Sequence, residues 1–399
     1  MTLRKLIFWI HLITGVVAGL VILIMSFTGV LLAYEKQIVS WADSGLLGEA
    51  PPSDAKRLPL LTLVEKAKET GGAAPTTLTF YSGHRAVSAA AGGATVYVDA
   101  YSGEAIGTGS TGVREFFRSV TSWHRYVALS GDNRATGKSI TGAANLVFMA
   151  IVLAGLFLWI PRGKWNWKSV RTVTWFRTNL NSKARNFNWH NVFGLWAAIP
   201  LFLIVLSGTV ISYPWASNLV YQLAGTKPPA QNRAGEGGGG GRGQERNRNA
   251  GTPTNLASID PLVAIAESQA SDWKTIRLQI PTSEKGPVSF NIDRGAGGNP
   301  RLRSTLTMDR GTGAVVAWEK FETQDAGRRA RSWLRFVHTG EFYGIAGQTI
   351  AAIASFAACM LVWTGFALSW RRFASWVANR KIKIATEPIE SPIDGTSLS

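Results

Sequence analysis

Cysteine is nearly missing from this sequence: Cys359 is the only one in 399 residues. That excludes a disulfide framework, a CxxC redox pair and the CxxCH attachment of a covalently bound haem. Charged residues are scarce too, at 17%, and among them acids are outnumbered 25 to 42, for a net charge of +17. No P-loop, HExxH or nucleophile elbow is present. One literal GxGxxG, Gly107 to Gly112, follows a strand pattern but has no βαβ unit around it, so it does not read as a dinucleotide site. Histidine occurs only five times.

What the chain does have is apolar length. Hydrophobic residues make up 46%, with 16 Trp. Four stretches lack any charge: Leu6–Ala33, Ser139–Ile160, Asn191–Tyr213 and Phe342–Trp370. Each is long enough for a hydrocarbon core of roughly 30 Å, which takes about 20 helical residues. The expected spans are residues 1–34, 138–161, 190–213 and 347–371. Arg4-Lys5 ahead of the first run, with no small-residue cleavage motif after it, reads as an uncleaved signal anchor. The connection 162–189 contains Arg162, Lys164, Lys168, Arg171, Arg177, Lys183 and Arg185 and no acid. Arg371, Arg372, Arg380, Lys381 and Lys383 follow the last span. The positive-inside rule then predicts that both termini, the tail 372–399 and that connection are cytoplasmic. Arginines also precede the second and fourth spans, but they belong to long segments, which translocate largely regardless of charge. The basic surplus therefore reports topology and contact with membrane lipid, and predicts no nucleic-acid partner.

The sequence also repeats itself. Trp9–Tyr34 slides onto Trp189–Tyr213 by 179 residues, bringing His11 onto His190, Gly15 onto Gly194, Thr28-Gly29 onto Ser207-Gly208 and Tyr34 onto Tyr213. In the second and fourth spans, Gly155 aligns with Gly365 and Arg162 with Arg372. The outer segments 35–137 and 214–346 share an order as well. A helix over Pro59–Thr70 precedes strands at Thr76–Phe80, Arg85–Ala89 and Thr95–Asp99. A helix opening at Asp260-Pro261, with Asp260 as its N-cap, precedes strands near Thr275–Ile280, Val288–Ile292 and Ser304–Met308. Each series closes on an Asp-to-Gly turn, Asp99 to Gly103 and Asp309 to Gly313. Such a repeat predicts a pseudo-two-fold axis along the membrane normal. Residues 225–251, with five consecutive glycines, read as a flexible linker.

Four of the five histidines fall at repeated positions. His11 and His190 lie near the inner ends of the first and third spans; His124 and His338 lie just before the second and fourth. An ionisable side chain in a membrane-length apolar segment is a functional candidate by default. Any one alone reads first as a satisfied core or interface histidine, and the unmatched His84 as a surface residue. Two repeated pairs at two depths predict instead that His11 faces His190 and His124 faces His338, as axial ligands of haem iron inside a bundle. Gly15 and Gly194, one turn from their histidines, are expected to let a flat porphyrin approach. The tryptophans near span ends are expected to form an interfacial belt.

These in-register histidines, the paired VYVDAYSGE and LTMDRGTGA turns, and FVHTGEFYG before the last span resemble the PepSY-associated transmembrane family. The resemblance implies an α-helical membrane protein of the bacterial inner membrane, a four-transmembrane-helix bundle with two duplicated α+β periplasmic PepSY-like domains. It implies two b-type haems held by His11, His124, His190 and His338. It also implies one-electron reduction of ferric siderophore on the periplasmic side, with electrons from a donor outside this chain, a quinol or a cytoplasmic reductase. Two other readings stay open on the sequence: a non-enzymatic regulator whose outer domains bind peptides or proteases, and a cytochrome subunit serving another periplasmic reductase. Bound haem separates the first of these from the rest.

Overall fold

The structure is a computed structural model that describes residues 2–52, 54–160, 167–229, 255–283, 286–295 and 297–386, with backbone alone at 168, 169 and 381–386. Residues 230–251 of the expected linker, Arg162, Lys164 and the tail beyond 386 lie outside the described residues. The first half runs α1 (Leu3–Leu32), α2 (Glu35–Ala42), α3 (Leu60–Gly71), β1 (Thr77–Tyr81), β2 (Ala86–Ala91), β3 (Ala94–Asp99), β4 (Ala105–Thr108), α4 (Thr111–Tyr126) and α5 (Arg134–Trp159). A short helix, α6 (Trp167–Thr174), leads to the second half. This runs α7 (Ser182–Ser212), α8 (Pro214–Leu223), α9 (Asp260–Gln269), β5 (Thr275–Gln279), β6 (Val288–Asp293), β7 (Arg303–Met308), β8 (Val315–Lys320), α10 (Ala326–His338) and α11 (Gly344–Thr386). The two halves list the same kinds of element in the same order.

Among the described residues four helices are long and apolar enough to cross a membrane, and they are those that the uncharged stretches predict. Their outward faces carry Val17, Leu20, Trp196, Ile199, Ile353 and Trp363, all largely exposed. Side chains of this type on a helix ring are suited to lipid. Helix α1 packs on α5 and α11, and α7 packs on the same two. The spans therefore form a ring in which α1 and α7 are diagonal partners. Pro200 sits inside α7, a position tolerated in membrane helices where neighbouring groups satisfy the freed carbonyl.

The outer segments do not fold as two sheets side by side. Their strands join in one antiparallel eight-stranded sheet of order β4-β3-β2-β1-β5-β6-β7-β8. The halves meet edge to edge, with Leu78 opposite Leu278 and Phe80 opposite Ile276. All four side chains are fully buried, so each half covers the edge strand that the other would leave open to aggregation. Helices α3 and α9 lie on this apolar face, through Leu60, Leu63, Val64 and Ala67, and Leu262, Val263 and Ala266, forming one shared core.

Three details depart from expectation. Asp260 does not cap its own helix; its carboxylate accepts from the Leu60 amide at 2.7 Å, at the start of α3 in the other half. Arg57 and Glu267 add a second link between halves at 2.8 Å. The Asp-to-Gly turns do not close the strand series but continue it, into β4 and β8. In both turns the Gly amide donates to the Asp carbonyl at 3.0 Å. Gly103 and Gly313 adopt φ of 77° and 69°, where a side chain would be strained. Finally, the segments before the second and fourth spans are helices, α4 and α10, which their many arginines obscured.

The sheet and the α4 and α10 helices sit at one end of the ring, and α6 at the other, as the chain connectivity requires. Reporter fusions at Lys168 and at Ser268 are expected to report opposite compartments. The same compartment for both would remove the four-span topology.

Candidate functional site

Each span end of α4 and α10 is fixed by a corner that brings a histidine into the bundle. Helix α4 stops where Val127 and Ala128 turn left-handed, and α5 then runs back past it. At Gly137 a Cβ would stand 2.2 Å from the Tyr126 carbonyl oxygen, so only glycine fits. The second corner repeats this: at Gly347 a Cβ would stand 2.2 Å from the Gly340 carbonyl oxygen. Corner and helix together place His124 against α1, and His338 against α7.

The four repeated histidines form two pairs, and they are the two expected. The His11 and His190 ring centres are 6.3 Å apart, with planes at 84°. Those of His124 and His338 are also 6.3 Å apart, with planes at 63°. From His11 to Thr28, at the level of the second pair, is 17 residues of α1, and from His190 to Ser207 is 17 residues of α7, or roughly 25 Å of helix. The pairs therefore lie at two depths, one near the α6 end and one near the sheet.

Hydrogen bonds around the rings set their tautomers. Thr28 Oγ1 donates to the Ile24 carbonyl at 2.6 Å, so toward His124 Nδ1, at 2.9 Å, it can only accept. Thr364 Oγ1 likewise donates to the Met360 carbonyl at 2.7 Å and accepts from His190 Nδ1 at 2.9 Å. His338 Nδ1 donates to the Ile204 carbonyl at 2.9 Å, with Ser207 Oγ at 3.2 Å. Thr28, Ser207 and Thr364 are all buried. In these three histidines Nδ1 carries the proton and Nε2 keeps its lone pair, the form in which imidazole binds a metal.

His11 is the exception. The residue matching Thr364 is Ala154, one before Gly155 as Thr364 is one before Gly365. With no hydroxyl there, His11 Nδ1 faces the Ile151 carbonyl without closing a hydrogen bond of normal geometry.

Glycines seat the rings against the neighbouring helix. A Cβ at Gly155 would touch His11 Cε1 at 3.4 Å, and one at Gly365 would touch His190 Cε1 at 3.6 Å. Gly29 and Gly208 stand in the same relation to His124 and His338, at 3.7 and 3.3 Å. Gly15 has open space where its side chain would be, and Gly194 meets only Leu361 at 3.7 Å. The glycines that touch the rings are thus a second set, distinct from Gly15 and Gly194.

A metal–imidazole bond is roughly 2 Å, so two rings sharing one metal from opposite sides stand about 6 Å apart, centre to centre. Both pairs fit that spacing. Among the described residues no three His, Cys, Asp or Glu side chains gather as a metal site. Two nitrogen ligands alone suit iron already held by a porphyrin, and do not suit a bare structural zinc, which takes four protein ligands.

The remaining candidates carry no chemistry here. His84 is exposed, with Nδ1 2.9 Å from the Gly48 carbonyl. In the GxGxxG stretch the Ser110 amide, which a bound phosphate would use, already donates to Asp43 at 2.7 Å. Tyr97 and Arg114 bind the same carboxylate.

Compared with known proteins, residues 8–372 match the family model described as PepSY-associated TM region. No curated protein matches the chain.

Proposed function

Because the chain belongs to the PepSY-associated TM region family, we propose that it is an inner-membrane dihaem electron-transfer protein that reduces ferric siderophore on the periplasmic side. The observation that carries this reading is the pair of facing histidines at each of two depths, with Nδ1 of His124, His190 and His338 held by buried hydroxyls or carbonyls. His11 and His190 would hold one b-type haem, and His124 and His338 the other. A haem held there would supply one-electron transfer.

The residues of the chain do the rest. Thr28, Ser207 and Thr364 hold the tautomer and ring angle, which sets ligand basicity. The apolar ring of spans keeps water from the path between the two depths. Helices α4 and α10 carry the outer pair toward the end of the ring where the sheet lies, the side from which a periplasmic substrate would approach. Ferric iron prefers hard oxygen donors; taking up one electron weakens that preference and frees the metal. That electron comes from a donor outside the chain, a quinol or a cytoplasmic reductase.

The test is direct. Purified protein reduced under anaerobic conditions is mixed with ferric siderophore, and its visible spectrum is followed alongside capture of ferrous iron by a chromogenic chelator. Reoxidation matched by ferrous release, about one iron per electron, is expected. Reduced protein that stays reduced in the presence of the substrate would exclude this substrate class.

Removing one supporting hydroxyl gives a finer check. Thr28→Val is expected to weaken retention of the outer haem by roughly 10- to 100-fold, measured by transfer to a haem-scavenging apoglobin. Ala154→Val, where no hydroxyl is present to lose, is the matched comparison.

A further inference from the structure

An arginine cleft opens between α8 and α10, the helix that carries His338. Tyr221, Gln324, Arg328, Arg331, Ser332 and Arg335 line its volume of about 270 Å³. Arg328 pairs with Asp325 at 3.4 Å, and Arg331 Nε donates to Ser217 at 2.9 Å. Among the described residues neither Arg331 nor Arg335 has a salt-bridge partner, and no acid lines the cleft. Glu341 is close to Arg335 in charge terms but is itself bound to Lys36 at 2.6 Å. Burial, then Arg303, Arg331 and Arg125, push the Arg335 pKa down, against the pull of Glu341. Cations crowded in this way are stabilised by an anion.

The repeat shows that the fold does not need these charges. His338 follows His124 by 214 residues, and the same shift carries Arg331 to Phe117 and Arg335 to Thr121. Phe117 is buried at 2% exposure, so the first half fills the equivalent place with an apolar ring. Arg331 and Arg335 belong to one half only, whereas Arg328 falls on Arg114. They also lie in line with the histidine: Arg331 and Arg335 precede His338 by seven and three residues, one helix face, with Arg335 roughly 4.5 Å along the axis from it.

Resting on the reading of His124 and His338 as the outer redox site, we propose that this cleft anchors an anionic oxygen-donor arm of the ferric chelate, of carboxylate or catecholate type. Guanidinium forks match such oxygens in pairs. The volume suits one arm, since whole drug-sized ligands occupy about 300–1,000 Å³. The chelate would then lie within one helical turn of the outer ligand, and neutral chelates would gain little from the cleft.

The test uses the full chain in phosphatidylcholine nanodiscs and a gallium(III) complex of a hexadentate tris-catecholate, which is trianionic and cannot be reduced. Calorimetry is expected to show binding at least tenfold tighter than to a neutral gallium(III) trihydroxamate. Arg331→Gln with Arg335→Gln is expected to weaken the catecholate by roughly 10- to 100-fold, while Arg331→Lys with Arg335→Lys keeps the charge without the fork and recovers only part of it. The visible spectrum and trihydroxamate binding of the Gln variant should be unchanged, which separates loss of the cleft from misfolding. Equal affinity for the two chelates, or a Gln variant that binds like the parent, overturns the proposal. So does loss of binding in discs containing phosphatidylglycerol, which would assign the cleft to a lipid headgroup. Binding by protein that purifies without haem from haem-replete cells would refute the electron-transfer reading and leave the cleft standing.

Discussion

His190→Ala is expected to take the purified protein from two haems per chain to one, and His11→Ala to take it to the same one. The rings of this pair stand 6.3 Å apart, so both serve one site, and removing the second ligand after the first costs little more. Residues acting as a unit are not additive. His124→Ala and His338→Ala should each remove the other haem, and His84→Ala neither. Each double variant, His11→Ala with His190→Ala and His124→Ala with His338→Ala, should keep one haem. Complete loss in either double variant would mean that ligands are shared between depths. The approach of His11 to Ile151 without a closed hydrogen bond adds an asymmetry: of the four histidines, His11 is the one held least.

Gly347→Ala is expected to remove the outer haem while touching no histidine. Its Cβ would stand 2.2 Å from the Gly340 carbonyl oxygen, a backbone atom that cannot turn aside. Forcing extra volume into such a contact costs about 1–3 kcal/mol or more. The strain falls on the short link between α10 and α11, and so on His338. Gly137→Ala acts equally on the Tyr126 carbonyl and His124. Placed in a His190→Ala background, which keeps only the outer haem, either change should leave the protein colourless. In a His338→Ala background either should change little. Retention of the outer haem in the first background would show that the corner does not position the ligand.

The spans and the histidine pairs were legible because hydropathy and the repeat act over long distances in the sequence. A shift of 179 residues set His11 on His190 and also set Thr28-Gly29 on Ser207-Gly208, so two of the supporting hydroxyls were in view, though nothing local gave them a role. Thr364 was harder to see, because its repeat partner is Ala154 and the hydroxyl occurs once. Helices α4 and α10 were hidden by arginines that break the apolar pattern, although Phe117, Val120 and Phe336 mark their buried faces. The joining of β1 to β5 could not be read at all. Pairing of edge strands almost 200 residues apart is a tertiary choice, and alternation within Thr77–Tyr81 or Thr275–Gln279 says only which face is apolar. Asp260 failed for a related reason: a helix-starting aspartate satisfies whichever free amide lies nearest, and here that is Leu60 of the other half.

Electron transfer through this bundle requires bound haem, and the measurement that tests it most directly is a reduced-minus-oxidised visible spectrum of the purified chain, with haem quantified per protein. Two b-type haems are predicted, low-spin in both oxidation states, with a reduced spectrum unmoved by carbon monoxide because imidazoles fill both axial positions. A colourless protein purified from haem-replete cells would contradict it.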